Sequence, residues 1–86
     1  MEQPGEAVIP LYGFLEGDTL GLLVLAYRSD TIAELADRLQ QSARVRVPHR
    51  PVVKVVYKGR VLDPELTLEN AGIEALERFD VVAGEG

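Results

Sequence analysis

Cysteine is absent from this chain of 86 residues, which excludes a disulfide framework, a thiolate metal site and thiol redox chemistry. Histidine occurs once, as His49 between Pro48 and Pro51, with no thiol to activate and no partner at a telling spacing. A lone histidine between prolines reads as a solvated loop residue, so no nucleophile–base pair is available. Cations are scarce: nine Lys and Arg stand against fourteen Asp and Glu, for a net charge of −5. That balance opposes nucleic-acid binding, which is driven by neutralising phosphates. The longest apolar run, Leu20 to Tyr27, is far short of the roughly 20 residues a membrane helix needs. Met1 to Glu6 is acidic and lacks an apolar stretch, so it does not read as a signal peptide. Glycines are scattered without the spacing that cradles a phosphate. The expectation is a cytoplasmic protein with no membrane contact, no nucleic-acid partner, no cofactor and no small-molecule substrate of its own.

What remains is a chain rich in aliphatic residues, 47% hydrophobic, enough for one core in one domain over residues 1–86 with flexible tails at 1–6 and 84–86. The apolar segment Ala7 to Leu15 contains Pro10, which demotes a strand interior, so the regular strand is expected from about Pro10, with Val8 and Ile9 as a lead-in. Glu16-Gly17-Asp18 is a turn of hairpin length, and Leu20 to Tyr27 is a second strand, more apolar than a one-sided sheet needs. Thr31 followed by Glu34 fits a capping box, with Asp30 adding negative charge at the helix start. Ile32, Leu35, Ala36, Leu39 and Ala43 form one stripe of an amphipathic helix that ends before Pro48.

A third strand, Val52 to Tyr57, meets a tight turn at Lys58-Gly59 and returns as Arg60-Val61-Leu62. Asp63-Pro64-Glu65 breaks the strand, and Thr67 to Ala71 makes one helical turn that Gly72 ends before Ile73. Phe79 to Val82 is a final alternating strand. A helical crossover between two strand groups makes the first and last strands parallel neighbours at the sheet centre. Alternation then turns Val55, Tyr57, Phe79 and Val81 toward the helix, and Lys54, Val56, Lys58, Asp80 and Val82 away from it. The predicted class is α+β: a ubiquitin-like β-grasp, a mixed sheet of four or five strands with one helix across one face.

Two resemblances follow from these residues. Ser29-Asp30-Thr31-Ile32, Tyr57-Lys58-Gly59-Arg60-Val61-Leu62, Leu66-Thr67-Leu68 and Gly72-Ile73 resemble the ubiquitin family. Over roughly residues 7 to 82 the chain is similar to the small B (gamma) subunits of toluene-monooxygenase-type di-iron hydroxylases. The residues concerned are Ile9-Pro10-Leu11-Tyr12, the Glu16-Gly17-Asp18 turn before Leu22-Leu23-Val24-Leu25, Arg46-Val47-Pro48, Thr67 to Ile73 and Phe79-Asp80-Val81-Val82. The Tyr57-Lys58-Gly59-Arg60 turn is more ubiquitin-like than those subunits imply. The resemblance implies a non-catalytic accessory subunit, not an enzyme, that binds a larger protein, a di-iron hydroxylase. One helix and one histidine cannot supply the paired Glu-x-x-His ligands of a di-iron site.

Other readings stay open: a free-standing interaction domain, or a ubiquitin-like modifier or sulfur carrier. The last needs a Gly-Gly end, whereas this chain reads Ala83-Gly84-Glu85-Gly86, with a glutamate between the glycines. Two surfaces are candidates for partner binding. One is the outward sheet face of Val56 and Val82 with Lys54 and Asp80, or else the outward side of the second strand. The other is the basic connection Arg44, Arg46, His49 and Arg50, suited to steering toward an acidic surface. Each also has a plain alternative, as scattered surface apolar residues or a solvated loop.

Overall fold

Thr31 and Thr67 set the frame. Each is the N-cap of a helix with the same extended backbone, φ −82 and ψ 162. Thr31 Oγ1 accepts the Glu34 N–H at 3.1 Å while the Glu34 carboxylate accepts the Thr31 N–H at 2.9 Å, a complete capping box. The two caps also lie side by side. Ile32 N–H donates to Leu66 C=O and Leu68 N–H to Asp30 C=O, so each helix start satisfies an orphan donor of the other.

The computed structural model describes residues 7–84. The tail assignments at 1–6 and 85–86 lie outside the described residues. Gly84, placed in the tail on sequence, donates to Val52 C=O at 2.9 Å. The elements are β1 (Val8–Leu15), β2 (Gly21–Tyr27), α1 (Ile32–Ala43), β3 (Val53–Tyr57), β4 (Arg60–Val61), α2 (Leu68–Ala71) and β5 (Arg78–Ala83). They form one five-stranded sheet in the order β2-β1-β5-β3-β4. The first and last strands are its parallel pair, with Tyr12 opposite Arg78 and Leu15 opposite Val81. This is the mixed β-grasp sheet the sequence predicts.

One face of the sheet is sealed by α1. Ile32, Leu35, Ala36, Leu39 and Ala43 of the helix stripe are all buried, against Leu11, Leu15, Val55, Tyr57, Phe79 and Val81 of the sheet. Leu68 and Ile73, on either side of Gly72, close one end of this core. Gly72 takes φ 79, the left-handed conformation that ends α2 and turns Ile73 inward. Lys58 and Gly59 have φ of 52 and 79, the signature of a type I′ turn in a two-residue hairpin. Gly13 is a contact requirement rather than a turn: a Cβ there would stand 2.8 Å from Phe79 Cζ and 3.0 Å from Leu39 Cδ1.

β1 begins at Val8, two residues before the start expected from Pro10. The reason lies in which edge the proline nitrogen faces. The N–H and C=O of one strand residue point to the same edge, and successive residues alternate. Pro10 C=O accepts Leu76 N–H and Tyr12 N–H donates to Glu77 C=O, so even-numbered residues of β1 turn toward β5. At Pro10 β5 has not yet begun, since pairing starts at Tyr12. The missing N–H therefore removes no ladder bond, and pairing with β2 continues from Val8 opposite Tyr27 to Phe14 opposite Gly21.

Candidate protein-docking surface

The sheet face away from α1 is open. On β2 the alternation leaves Leu23 and Leu25 at 58% and 56% exposure, with Tyr27 beside them; on β1 it leaves Tyr12 at 45% and Val8 at 46%. Register brings them together, because Tyr12 pairs with Leu23, Pro10 with Leu25 and Val8 with Tyr27. The result is one continuous aliphatic and aromatic surface over two strands.

Phe14 marks its border. Its ring lies across Gly21, where a Cβ would come within 2.6 Å of the ring carbons, so only glycine fits beneath it. The Arg78 guanidinium stacks on the ring at 4.1 Å from its centroid and pairs with Asp80 at 2.9 Å. The guanidinium–carboxylate bond holds the Arg78 pKa above its ordinary value.

Beyond this strip lie the residues singled out on sequence. Val56, Val82, Lys54 and Asp80 all face outward on β3 and β5, and all are half-buried. Val56 is opposite Asp80 and Lys54 opposite Val82, so the structure does bring the four together. Val56, Asp80 and Val82 line a shallow depression with Lys58 and Glu77. It is smaller in apolar exposure than the β1–β2 half, which holds the large exposed side chains. The outward side of the second strand, the other surface named from the sequence, is thus where the apolar area concentrates. Its signal was the surplus of leucines in Leu20–Tyr27; Tyr12 carried no separate signal.

The basic connection is engaged within the fold. Arg46 forms a two-pronged bond to Asp18, with Nε and Nη2 each donating at 2.9 to 3.1 Å. The Arg46 bond holds the Asp18 carboxyl below its usual range, against the opposing effect of desolvation. Arg50 Nη1 donates to Glu16 C=O at 3.0 Å, and the Arg50 backbone exchanges two bonds with the buried Gln40 amide. Arg44 donates to the Gln41 side chain, and His49 lies 3.3 Å from Asp37. Arg46 and Arg50 therefore staple the loop after α1 to the first hairpin turn, and the arginines do not converge on one external point.

A last polar cluster sits under the second hairpin. The Tyr57 hydroxyl donates to the Glu77 carboxylate and also approaches Gly72 C=O at 3.2 Å; Glu77 accepts Glu74 N–H and meets Lys58 at 3.4 Å. Burial, then the hydrogen bond to Glu77, pushes the Tyr57 pKa up, and the tyrosine bond holds Glu77 down. The Tyr57 hydroxyl and the Glu77 carboxylate are engaged within the fold, which marks a structural lock. Among the described residues no group of three or more His, Cys, Asp or Glu is placed to hold a metal ion. The residues present do not fit a di-iron centre. No helix of the described residues is long and apolar enough to cross a membrane.

Sheet order, crossover and helix placement define a ubiquitin-like β-grasp protein with one sheet face left open and apolar. Solved structures agree on the fold. A chain of the toluene 4-monooxygenase HD complex with the inhibitor 4-bromobenzoate matches at TM-score 0.82 and 22% identity, covering 91% of this chain and 100% of that one. The ubiquitin of Caldiarchaeum subterraneum matches at TM-score 0.76 and 17% identity, covering 93% and 98%. A ubiquitin-like domain of Plasmodium falciparum matches at TM-score 0.76 and 16% identity, covering 91% and 100%. The chain belongs to the family of toluene-4-monooxygenase system protein B, whose family model matches residues 8–82. No curated protein matches the sequence.

Proposed function

We propose that this chain is a non-catalytic accessory subunit that docks on the hydroxylase of a toluene-monooxygenase-type di-iron system, in the cytoplasm, through the open β1–β2 sheet face. Family membership over residues 8–82 supports the system. The observation that carries the docking role is the row of Tyr12, Leu23, Leu25 and Tyr27, large apolar side chains in register on a face that α1 does not cover. Contiguous apolar surface of this kind on a small domain marks a partner site. Cations rim the far side: Lys54 makes no ion pair among the described residues, and Arg78 and Lys58 stand beside Asp80 and Glu77. An apolar centre with a mixed, partly cationic rim has the anatomy of a protein interface.

The test is binding of the purified chain to the hydroxylase of its own system prepared without this subunit. Tyr12→Asp or Leu25→Asp should leave the melting temperature near that of the parent, because both positions face solvent. Each should weaken binding by about thirtyfold or more, the effect of losing a central anchor of about 2 kcal/mol and burying an unpaired carboxylate. Glu34→Ala, on the polar side of α1, serves as the control. Parental affinity in both aspartate variants would refute this face as the docking surface.

A further inference from the structure

The side chains of β2 are only half of what that strand presents. β2 is an outer strand of the sheet. The bond parity of β1 assigns its own free edge: odd residues Ile9, Leu11 and Gly13 of β1 turn toward β2, where they pair with Ala26, Val24 and Leu22. Gly21, Leu23, Leu25 and Tyr27 therefore turn their N–H and C=O groups outward. At one end these groups are already taken. Asp30 accepts Tyr27 N–H at 2.8 Å and returns its own N–H to Tyr27 C=O, and Arg38 Nη1 donates to Leu25 C=O at 3.3 Å. Five groups remain without a partner among the described residues: the N–H and C=O of Gly21 and Leu23, and the N–H of Leu25.

Natural sheets guard such an edge with charge, proline or a bulge. Gly21 to Tyr27 contains no charged residue and no proline, and its register with β1 runs without a bulge. We propose that this edge is completed in the assembled enzyme by an extended segment of the partner, which adds as a sixth strand beside β2. The inference rests on the docking role above and specifies how the partner engages. The edge is continuous with the docking face, because Leu23 and Leu25 supply both the open backbone groups and the exposed side chains. The segment that fits is apolar at alternate positions and acidic at the end that meets Arg28, which directly follows β2 and makes no ion pair among the described residues.

A second copy of this chain fits less well. Antiparallel pairing about a two-fold axis at Leu23 sets Gly21 N–H against the Leu25 C=O that Arg38 already holds. Edge-to-edge pairing of two such short strands also buries far less than the roughly 800 Å² per partner of a stable interface.

The experiment is amide hydrogen exchange, read residue by residue, on the chain alone and in complex with the hydroxylase of its own system. Exchange at Gly21, Leu23 and Leu25 should slow at least tenfold in the complex. Of the backbone groups Leu23→Pro removes only an outward N–H, at a position where an edge strand tolerates proline, and the leucine side chain it also removes is controlled for by Leu23→Ala. It should weaken binding at least tenfold, while Leu23→Ala, which keeps the N–H, weakens it less. If a complex forms and Tyr12→Asp disrupts it, yet the three amides exchange as in the free chain, strand addition is refuted and the docking role stands. If no complex forms, both fall. A free chain that sediments as a dimer with the same amides protected would assign the edge to a second copy and overturn the proposal. The exchange measurement uses the parent chain, so it decides the matter even if the proline variant fails to fold.

Discussion

Gly13→Ala tests whether the close approach of α1 to the sheet centre is as tight as the contacts imply. The new methyl would sit 2.8 Å from Phe79 Cζ and 3.0 and 3.1 Å from the two Leu39 Cδ atoms, inside any relaxed separation. Phe79 and Leu39 are both fully buried, so neither can swing into solvent. Overpacking of this kind costs about 1–3 kcal/mol. The loss of glycine's backbone freedom in the unfolded chain returns roughly 0.5–1 kcal/mol. A net loss on the order of 1–2 kcal/mol follows, which for a domain of this size lowers the melting temperature by about 4–8 °C per kcal/mol. Leu39→Ala alone should cost about 2–5 kcal/mol through the cavity it leaves. The double variant is the sharper measurement. With Leu39 shortened, Phe79 can tilt into the vacated space and the methyl introduced at position 13 fills part of it. Urea denaturation of the four proteins should show the double variant no less stable than Leu39→Ala alone. Two costs that add to within about 0.5 kcal/mol would refute the shared contact, since independent sites behave that way.

Other outcomes follow from single features. Asp18, Asp30 and Glu77 all have folded pKa values below their ordinary values, so the stability they contribute is present above the ordinary carboxylate range and is lost as pH falls through the folded values. Melting temperature should therefore drop on acidification below that range, and Asp18→Asn should flatten the drop; an unchanged pH profile in that variant would contradict the Arg46 staple. Tyr57→Phe leaves the ring in place but removes the hydroxyl from Glu77 and Gly72, and a loss of about 1 kcal/mol is expected by denaturant titration. Gly59→Ala puts a side chain at φ 79 and should cost roughly 1 kcal/mol, detected as a lower melting temperature with unchanged binding to the hydroxylase. Arg46→Glu should lower stability rather than association rate; a pure effect on association rate would return the basic connection to the docking role.

The order of elements was legible because each carries its own local chemistry: the capping box at Thr31 and Glu34, the Lys58-Gly59 turn, the Gly72 stop. The helix-facing set Val55, Tyr57, Phe79 and Val81 followed from alternation alone, and all four are buried. Less was legible where a residue's role depends on a neighbour distant in sequence. Pro10 reads as a strand breaker until the edge it faces is known. The charges of Arg46 and Asp18 read as solvated loops until the fold places them 2.9 Å apart. Outward residues look equivalent by parity, yet Val56 and Val82 are half-buried while Leu23 and Leu25 are open. That difference arises from the flanking strands, since β2 lies at the sheet edge and β3 and β5 lie inside it.

The parallel pairing of β1 with β5 has a consequence for how the chain is made. The centre of the sheet joins the earliest synthesised of these strands to the latest, so β1 has a partner on one side only until residues 78–83 emerge. Contacts of such long sequence separation are slow to form, because the intervening loop must close first. The β1–β2 hairpin, uncharged along all of β2, therefore waits exposed through most of synthesis. Assembly with a partner through that same hairpin before the last strand arrives would trap an unfinished sheet. Under the proposed docking role, assembly through this hairpin follows completion of β5, and a nascent chain stalled before Arg78 is expected to be captured by chaperones rather than by the hydroxylase.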